Sequence, residues 1–174
     1  MHPRIAELLD YIDRRADVLR AEFDAIPRDR RGVRPTPDRW SPAEVVHHVV
    51  IVERNITRLL QRLIAEARGH EPESETSSIL AILQPDRATV RARRISTSDA
   101  NQPRDTDPER VWSEFETTRN ALKDVVATAD GLAMAKVAAP HPALGPLNGY
   151  GWIAFTGAHA ARHAAQIRED SATA

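Results

Sequence analysis

"WSPAEVVHHVVIVERN", residues 40–55, is the stretch on which the fold turns. Ser41 precedes Pro42, whose fixed φ suits the first position of a helix. Glu44 stands three residues after the serine, where its carboxylate can return to the Ser41 backbone and complete a capping box. Trp40 and Val45 occupy the two places of a hydrophobic staple. From this start Val45, Val49, Val52, Ile56, Leu59, Leu63 and Ala67 recur at helical spacing, and Gly69 ends the run. One face of the helix is therefore apolar. His48 lies three residues after Val45 and four before Val52, so it points into that face. His47 is rotated by about 100° and falls toward the flank.

The same spacing continues on either side. Ile5, Leu8, Leu9, Ile12, Ala16, Leu19, Phe23 and Ile26 form a stripe that predicts a first helix over residues 3–26. A third helix is expected from Asp107, as cap before Pro108, through Val111, Phe115, Leu122, Val125 and Val126 to about Asp130. "AAPHPALGPLNG" reads as a proline- and glycine-rich loop, after which Asn148 caps a last helix. Four long amphipathic helices without strands predict an all-α four-helix bundle in one domain spanning residues 1–174. Residues 69–106 connect the second and third helices. They begin acidic, carry the apolar patch "ILAIL", and turn basic in "RATVRARR", read as a solvated loop face. A connection of this length can run back along the bundle, which makes the second and third helices parallel and gives one long crossover.

Composition narrows the chemistry. Hydrophobic residues at 41% and charged residues at 28% are ordinary for a soluble domain of 174 residues, long enough to bury a core. A net charge of −1 leaves no basic footprint for nucleic acid and no membrane-surface patch. No apolar run approaches the roughly 20 residues that span a bilayer. Charges in "MHPRIAELLDYIDRR" interrupt any signal-peptide core, so a cytoplasmic location is expected. The chain has no cysteine. That excludes disulfides, thiol nucleophiles and thiolate metal sites, and leaves His, Asp and Glu as the strong metal ligands.

"HAARHAAQI", residues 159–167, places His159 and His163 one helical turn apart, in phase with Trp152, Thr156 and Ile167. With His48, three histidines project from two helices into the bundle interior. Two readings are open at this point. The rings are hydrogen-bonded core histidines, or they bind zinc, nickel or ferrous iron with a coordination position left for water or substrate. Three buried imidazoles need partners for their nitrogens, and a metal satisfies one on each ring. On the metal reading their nitrogens converge on a point about 2.0–2.2 Å from each, whether or not the metal is retained. Gln166 shares the His159–His163 face and Asn55 that of His48, so either can orient a ligand or line a pocket. Glu44 is explained by the cap. Glu53 is placed on a flank, and His2, His70 and His141 at solvent-exposed positions. No Ser-His-Asp set, paired acids or phosphate loop is present.

Together these motifs resemble the DinB-like (DinB/YfiT) superfamily, a group classed as metal-dependent enzymes. Its pattern is a Trp-Ser-x-x-Glu helix start with a histidine eight residues after the tryptophan. A Pro- and Gly-containing loop then leads into a helix with H-x3-H-x2-Q-I. Here these are Trp40, Ser41, Glu44 and His48, then "HPALGPLNG", then His159, His163, Gln166 and Ile167. The resemblance implies a four-helix bundle of up-down-down-up topology. It also implies a divalent metal, nickel or zinc most often, on the three histidines. Members of known activity include transferases that use low-molecular-weight thiols such as bacillithiol or mycothiol, and a mycothiol-dependent isomerase; many have no established reaction.

The expected function is therefore a metal-dependent enzyme acting on a small molecule, as a thiol-dependent S-transferase or a hydrolase. The alternative is a non-catalytic, stress-related protein that holds a metal or ligand. Leu60 and Ile64, beside the main stripe, suggest a homodimer. Tyr150 and Trp152 at the start of the last helix, with the loop carrying His141, are expected at the pocket mouth.

Overall fold

The helix start at Ser41 forms as its sequence predicts. Ser41 Oγ accepts from the Glu44 backbone N–H at 3.2 Å, and Glu44 returns its carboxylate to the Ser41 N–H at 2.8 Å. The structure, a computed structural model, describes residues 1–86 and 98–172. Its helices are α1 (Pro3–Asp24), α2 (Pro42–Ala67), a short α3 (Ile79–Leu83), α4 (Val111–Ala127) and α5 (Gly149–Ser171). The chain is a mostly helical protein built around a four-helix bundle of α1, α2, α4 and α5. The basic stretch "RATVRARR" lies outside the described residues.

α1 packs along α5, and α2 packs against both α4 and α5. The α1–α5 contact is close because Gly157 has no side chain. A Cβ there would stand 2.5 Å from Tyr11 Cε1. The core has two halves. One gathers Ile5, Leu8, Ile12, Ile56, Leu60, Leu122, Val126 and Ile153. The other gathers Leu19, Phe23, Val45, Val49, Phe115, Ala160, Ala164 and Ile167. At about 25 cal/mol per Å² of apolar surface removed from water, each fully buried Leu or Ile contributes roughly 1.5–3 kcal/mol.

Four expectations change. First, the segment read as a loop contains a two-stranded antiparallel hairpin, β1 (Ala138–His141) and β2 (Gly145–Asn148). Its prolines hide it from a pattern search, but Pro140 sits opposite Pro146, at a register position where neither missing N–H is needed by the partner strand. Gly145, at φ +77°, takes the left-handed conformation that closes the turn. Second, α4 begins at Val111 rather than near Pro108. Asp107 organises a turn ahead of the helix, its carboxylate accepting from the Glu109 N–H at 2.9 Å. Third, Leu60 and Ile64 are 0% and 4% exposed, inside the core, so they offer no surface for a second copy.

Fourth, Glu53 is not on a flank. It is fully buried, and the Arg119 guanidinium of α4 grips its carboxylate, Nε to Oε2 at 3.1 Å and Nη2 to Oε1. The same Arg119 donates through Nη1 to the Ile12 carbonyl of α1, so one side chain ties three helices. Among the described residues no helix is long and apolar enough to cross a membrane.

Candidate metal centre

The cap at Ser41 sets the register of α2, and two turns on it delivers His48 to the interior, 5% exposed. His159 and His163 come from consecutive turns of α5. Their neighbours Ala158, Ala160 and Ala164 are small and buried, which leaves room for three rings between α2 and α5. The ring centroids stand 4.8 Å (His48–His163), 5.2 Å (His48–His159) and 4.4 Å (His159–His163) apart. One ligating nitrogen from each lies within 4.8 Å of the others.

Their hydrogen bonds define the tautomers. His48 Nδ1 is 2.7 Å from the Asn101 carbonyl oxygen, which only accepts, so Nδ1 carries the proton and Nε2 the lone pair. His163 Nδ1 likewise donates to Gln166 Oε1 at 3.0 Å. Its Nε2 faces His159 Nε2 at 3.1 Å. Because His163 Nε2 has the lone pair, His159 Nε2 is the donor in that contact. His159 Nδ1 is then a buried lone pair with no partner among the described residues. Orphaned buried nitrogens are uncommon in proteins.

The electrostatics favour neutral rings. Burial lowers the His48 pKa, opposed in part by its bond to the Asn101 carbonyl. His159 is pushed well below the ordinary histidine value, first by burial and then by the fields of His163, His48, Arg162 and His141. A neutral imidazole is the form that binds a metal ion.

These residues fit a divalent cation. Two rings have Nδ1 held by acceptors, the arrangement that orients metal-binding histidines. The 3.1 Å between His159 Nε2 and His163 Nε2 is close to the roughly 3.4 Å edge of a tetrahedron with 2.1 Å bonds, and using both as ligands moves the His159 proton from Nε2 to its unpartnered Nδ1. The set as a whole spans up to 4.8 Å, more than the roughly 4.2 Å that two 2.1 Å bonds can reach even in line, so the expected convergence on one point is not met and the rings must draw together by about an ångström to share a tetrahedral ion.

The remaining residues sort clearly. His47 stays outside the cluster, bonded through Nδ1 to Thr106 Oγ1 at 2.7 Å. Gln166 orients His163. Asn55 does not reach the rings. It donates to the Asn101 side chain at 3.0 Å and so braces the turn whose carbonyl holds His48. Tyr150 is not at a pocket mouth. It is fully buried in the half of the core away from the histidines, donating to Glu73 at 3.2 Å and to the Leu132 carbonyl at 3.1 Å. Trp152 is 6% exposed and donates to the Ala139 carbonyl at 3.2 Å, which docks the hairpin onto α5.

His70 is exposed as expected, whereas His2 caps α1 and is half-buried. His141 is also half-buried, packed on Trp152 and Phe155. Asn101 was not legible beforehand, because any residue's backbone carbonyl can play its part. Trp40, 4.9 Å from His48 by ring centroid, and Phe155, 5.3 Å from His159, wall the cluster.

The family profile of the DinB superfamily matches residues 11–167 of this chain. Among solved structures, "Crystal structure of TT2238, a four-helix bundle protein" is similar over 95% of this chain and 98% of that one. The TM-score is 0.63 at 21% identity, a likeness of fold. No curated protein matches the sequence significantly.

Proposed function

The chain belongs to the DinB superfamily, and from that premise we propose that it binds a divalent metal on His48, His159 and His163 and acts as a thiol-dependent S-transferase or a hydrolase. The observation that carries this reading is the donor set itself: three buried imidazoles, two with Nδ1 already committed to acceptors and one with an orphaned nitrogen. Nickel or zinc suits three neutral nitrogens best, with ferrous iron a third choice. When bound, such an ion supplies Lewis acidity that makes a thiol or water nucleophilic near neutral pH.

The chain's own residues do the rest. Asn101 and Gln166 hold their histidines in the Nδ1–H tautomer, Trp40 and Phe155 flank the rings, and burial keeps His159 unprotonated. A low-molecular-weight thiol is the proposed partner of a small electrophilic substrate.

The proposed topology is up-down-down-up, with the long connection as a crossover. Supporting it, Val49 and Val50 share a core half with Val111 and Phe115, while Ile56 and Leu60 share the other with Leu122 and Val126. Tyr11 meets Gly157 and Glu22 meets Arg168, so α1 runs with α5.

The test is elemental analysis of tag-free protein, followed by a screen of thiols against electrophiles. The expected result is about one equivalent of metal, and its loss in His163→Ala with the helical spectrum unchanged. Stoichiometric metal retained by His163→Ala would show that His163 is only a packed core residue. Metal without turnover of any thiol and electrophile would leave a binding protein in place of an enzyme.

A further inference from the structure

The hairpin that leads into α5 carries a fourth histidine outside the metal-binding set. His141 Nδ1 accepts from two backbone N–H groups, those of Ala143 and Leu144, each at 3.1 Å. Two donors aimed at Nδ1 require a lone pair there, so the ring's proton sits on Nε2. This is the opposite tautomer from His48 and His163. Burial pushes the His141 pKa down, which reinforces the neutral ring.

The ring is wedged against the start of α5, its centroid 4.6 Å from Phe155 and 5.3 Å from Trp152. Phe155 is in turn 5.3 Å from the His159 ring, one turn further along the same ridge of α5. Among the described residues no acceptor takes the Nε2–H, although Nδ1 is fully engaged. A ring whose orientation and tautomer are fixed by its own turn, and whose Nε2–H has no acceptor among the described residues, stands one aromatic contact from His159 through Phe155 and is a built donor.

We propose that His141 donates a hydrogen bond from Nε2 to an anion bound at the three-histidine centre, a thiolate or a substrate oxyanion. This rests on the metal-binding reading above. The ring gives up no proton in this role. It stabilises negative charge by a charge-assisted hydrogen bond in a site walled by aromatic rings. The competing account is that His141 only closes the hairpin turn.

Asparagine separates the two. In His141→Asn, Oδ1 takes the position of Nδ1 and keeps accepting from Ala143 and Leu144, but nothing replaces Nε2–H. In His141→Gln the amide N–H stands near the Nε2 position. The experiment loads wild type and both variants with cobalt(II) and titrates each with azide by visible absorption. His141→Asn is expected to bind cobalt as wild type does and azide about tenfold more weakly or worse; His141→Gln is expected to recover part of that loss.

In the wild-type cobalt-free and azide-bound zinc forms, nitrogen-15 NMR should show His141 protonated on Nε2, with its proton signal moving downfield when azide enters. Equal azide affinity in His141→Asn, or an Nε2–H signal indifferent to azide, overturns the proposal and leaves His141 as a turn cap. Loss of cobalt from His141→Asn overturns it too, since His141 would then be serving the metal. Failure of the wild type to bind cobalt removes the metal reading itself, and this proposal with it.

Discussion

His48 Nδ1 lies 2.7 Å from the backbone oxygen of Asn101, so the interior histidine of α2 is oriented by a residue 53 positions further along the chain. The partner of His163 is a side chain, Gln166. The two second partners should therefore respond differently to mutation. Gln166→Ala removes the acceptor and is expected to weaken metal affinity about 10–100-fold. Asn101→Ala keeps the carbonyl and loses only the bond from Asn55, so affinity should stay within a few-fold of wild type. Competition with a chelator of known affinity measures both. Equal losses in the two variants would mean that the Nδ1 contacts do not orient the ligands.

The Glu53–Arg119 pair predicts an asymmetry in stability. Removing either partner alone strands a charge in the core, and Glu53→Ala or Arg119→Ala is expected to cost about 3–5 kcal/mol in urea unfolding. Replacing both with apolar residues of similar volume, Glu53→Leu with Arg119→Met, should recover most of that loss. A double variant as unstable as the worse single one would mean that the bond from Arg119 to the Ile12 carbonyl matters more than the ion pair.

Ser41→Ala deletes the acceptor for the Glu44 N–H and is expected to cost about 0.5–2 kcal/mol. Metal affinity should fall only modestly, because the cap lies nearly two turns from His48. Thermal unfolding with and without metal separates the two effects.

Alkaline pH should unfold the protein through two tyrosines. Burial, aided by Asp86 beside Tyr11 and by Glu73 beside Tyr150, raises each phenol from its ordinary value near 10 to about 12. The folded state thus holds these protons more tightly than the unfolded chain. Their contribution is present in full below pH 10 and is lost as pH rises through 12. Tyr150→Phe removes one of the two titrations, so its melting temperature should fall less steeply than wild type between pH 10 and 12. Parallel pH curves would show that Tyr150 does not drive the alkaline limb.

The helix starts at Ser41 and Asn148, the inward phase of His48, His159 and His163, and the exclusion of cysteine ligands and nucleophiles from the chain itself were all legible from the residues. Each rests on local rules, a cap within three residues or a face repeating every 3.6, that tertiary packing left unchanged. The hairpin was not legible, because Pro140 and Pro146 argue against strands until their mutual register is known. Glu53 was misplaced for a related reason. Its helical phase sits at the margin of the apolar stripe, and only the arrival of Arg119 from α4 makes a buried carboxylate tolerable.

Tyr150 and His141 lie in adjoining elements, yet the fold sends one into the far half of the core and sets the other against Phe155 beside the histidines. Asn101 contributes a carbonyl, a group every residue carries, so no residue type could mark it. The sequence by itself determined which side chains face inward. Which groups meet them there was decided by the tertiary structure, because partners that come from distant segments are brought together only when the helices pack.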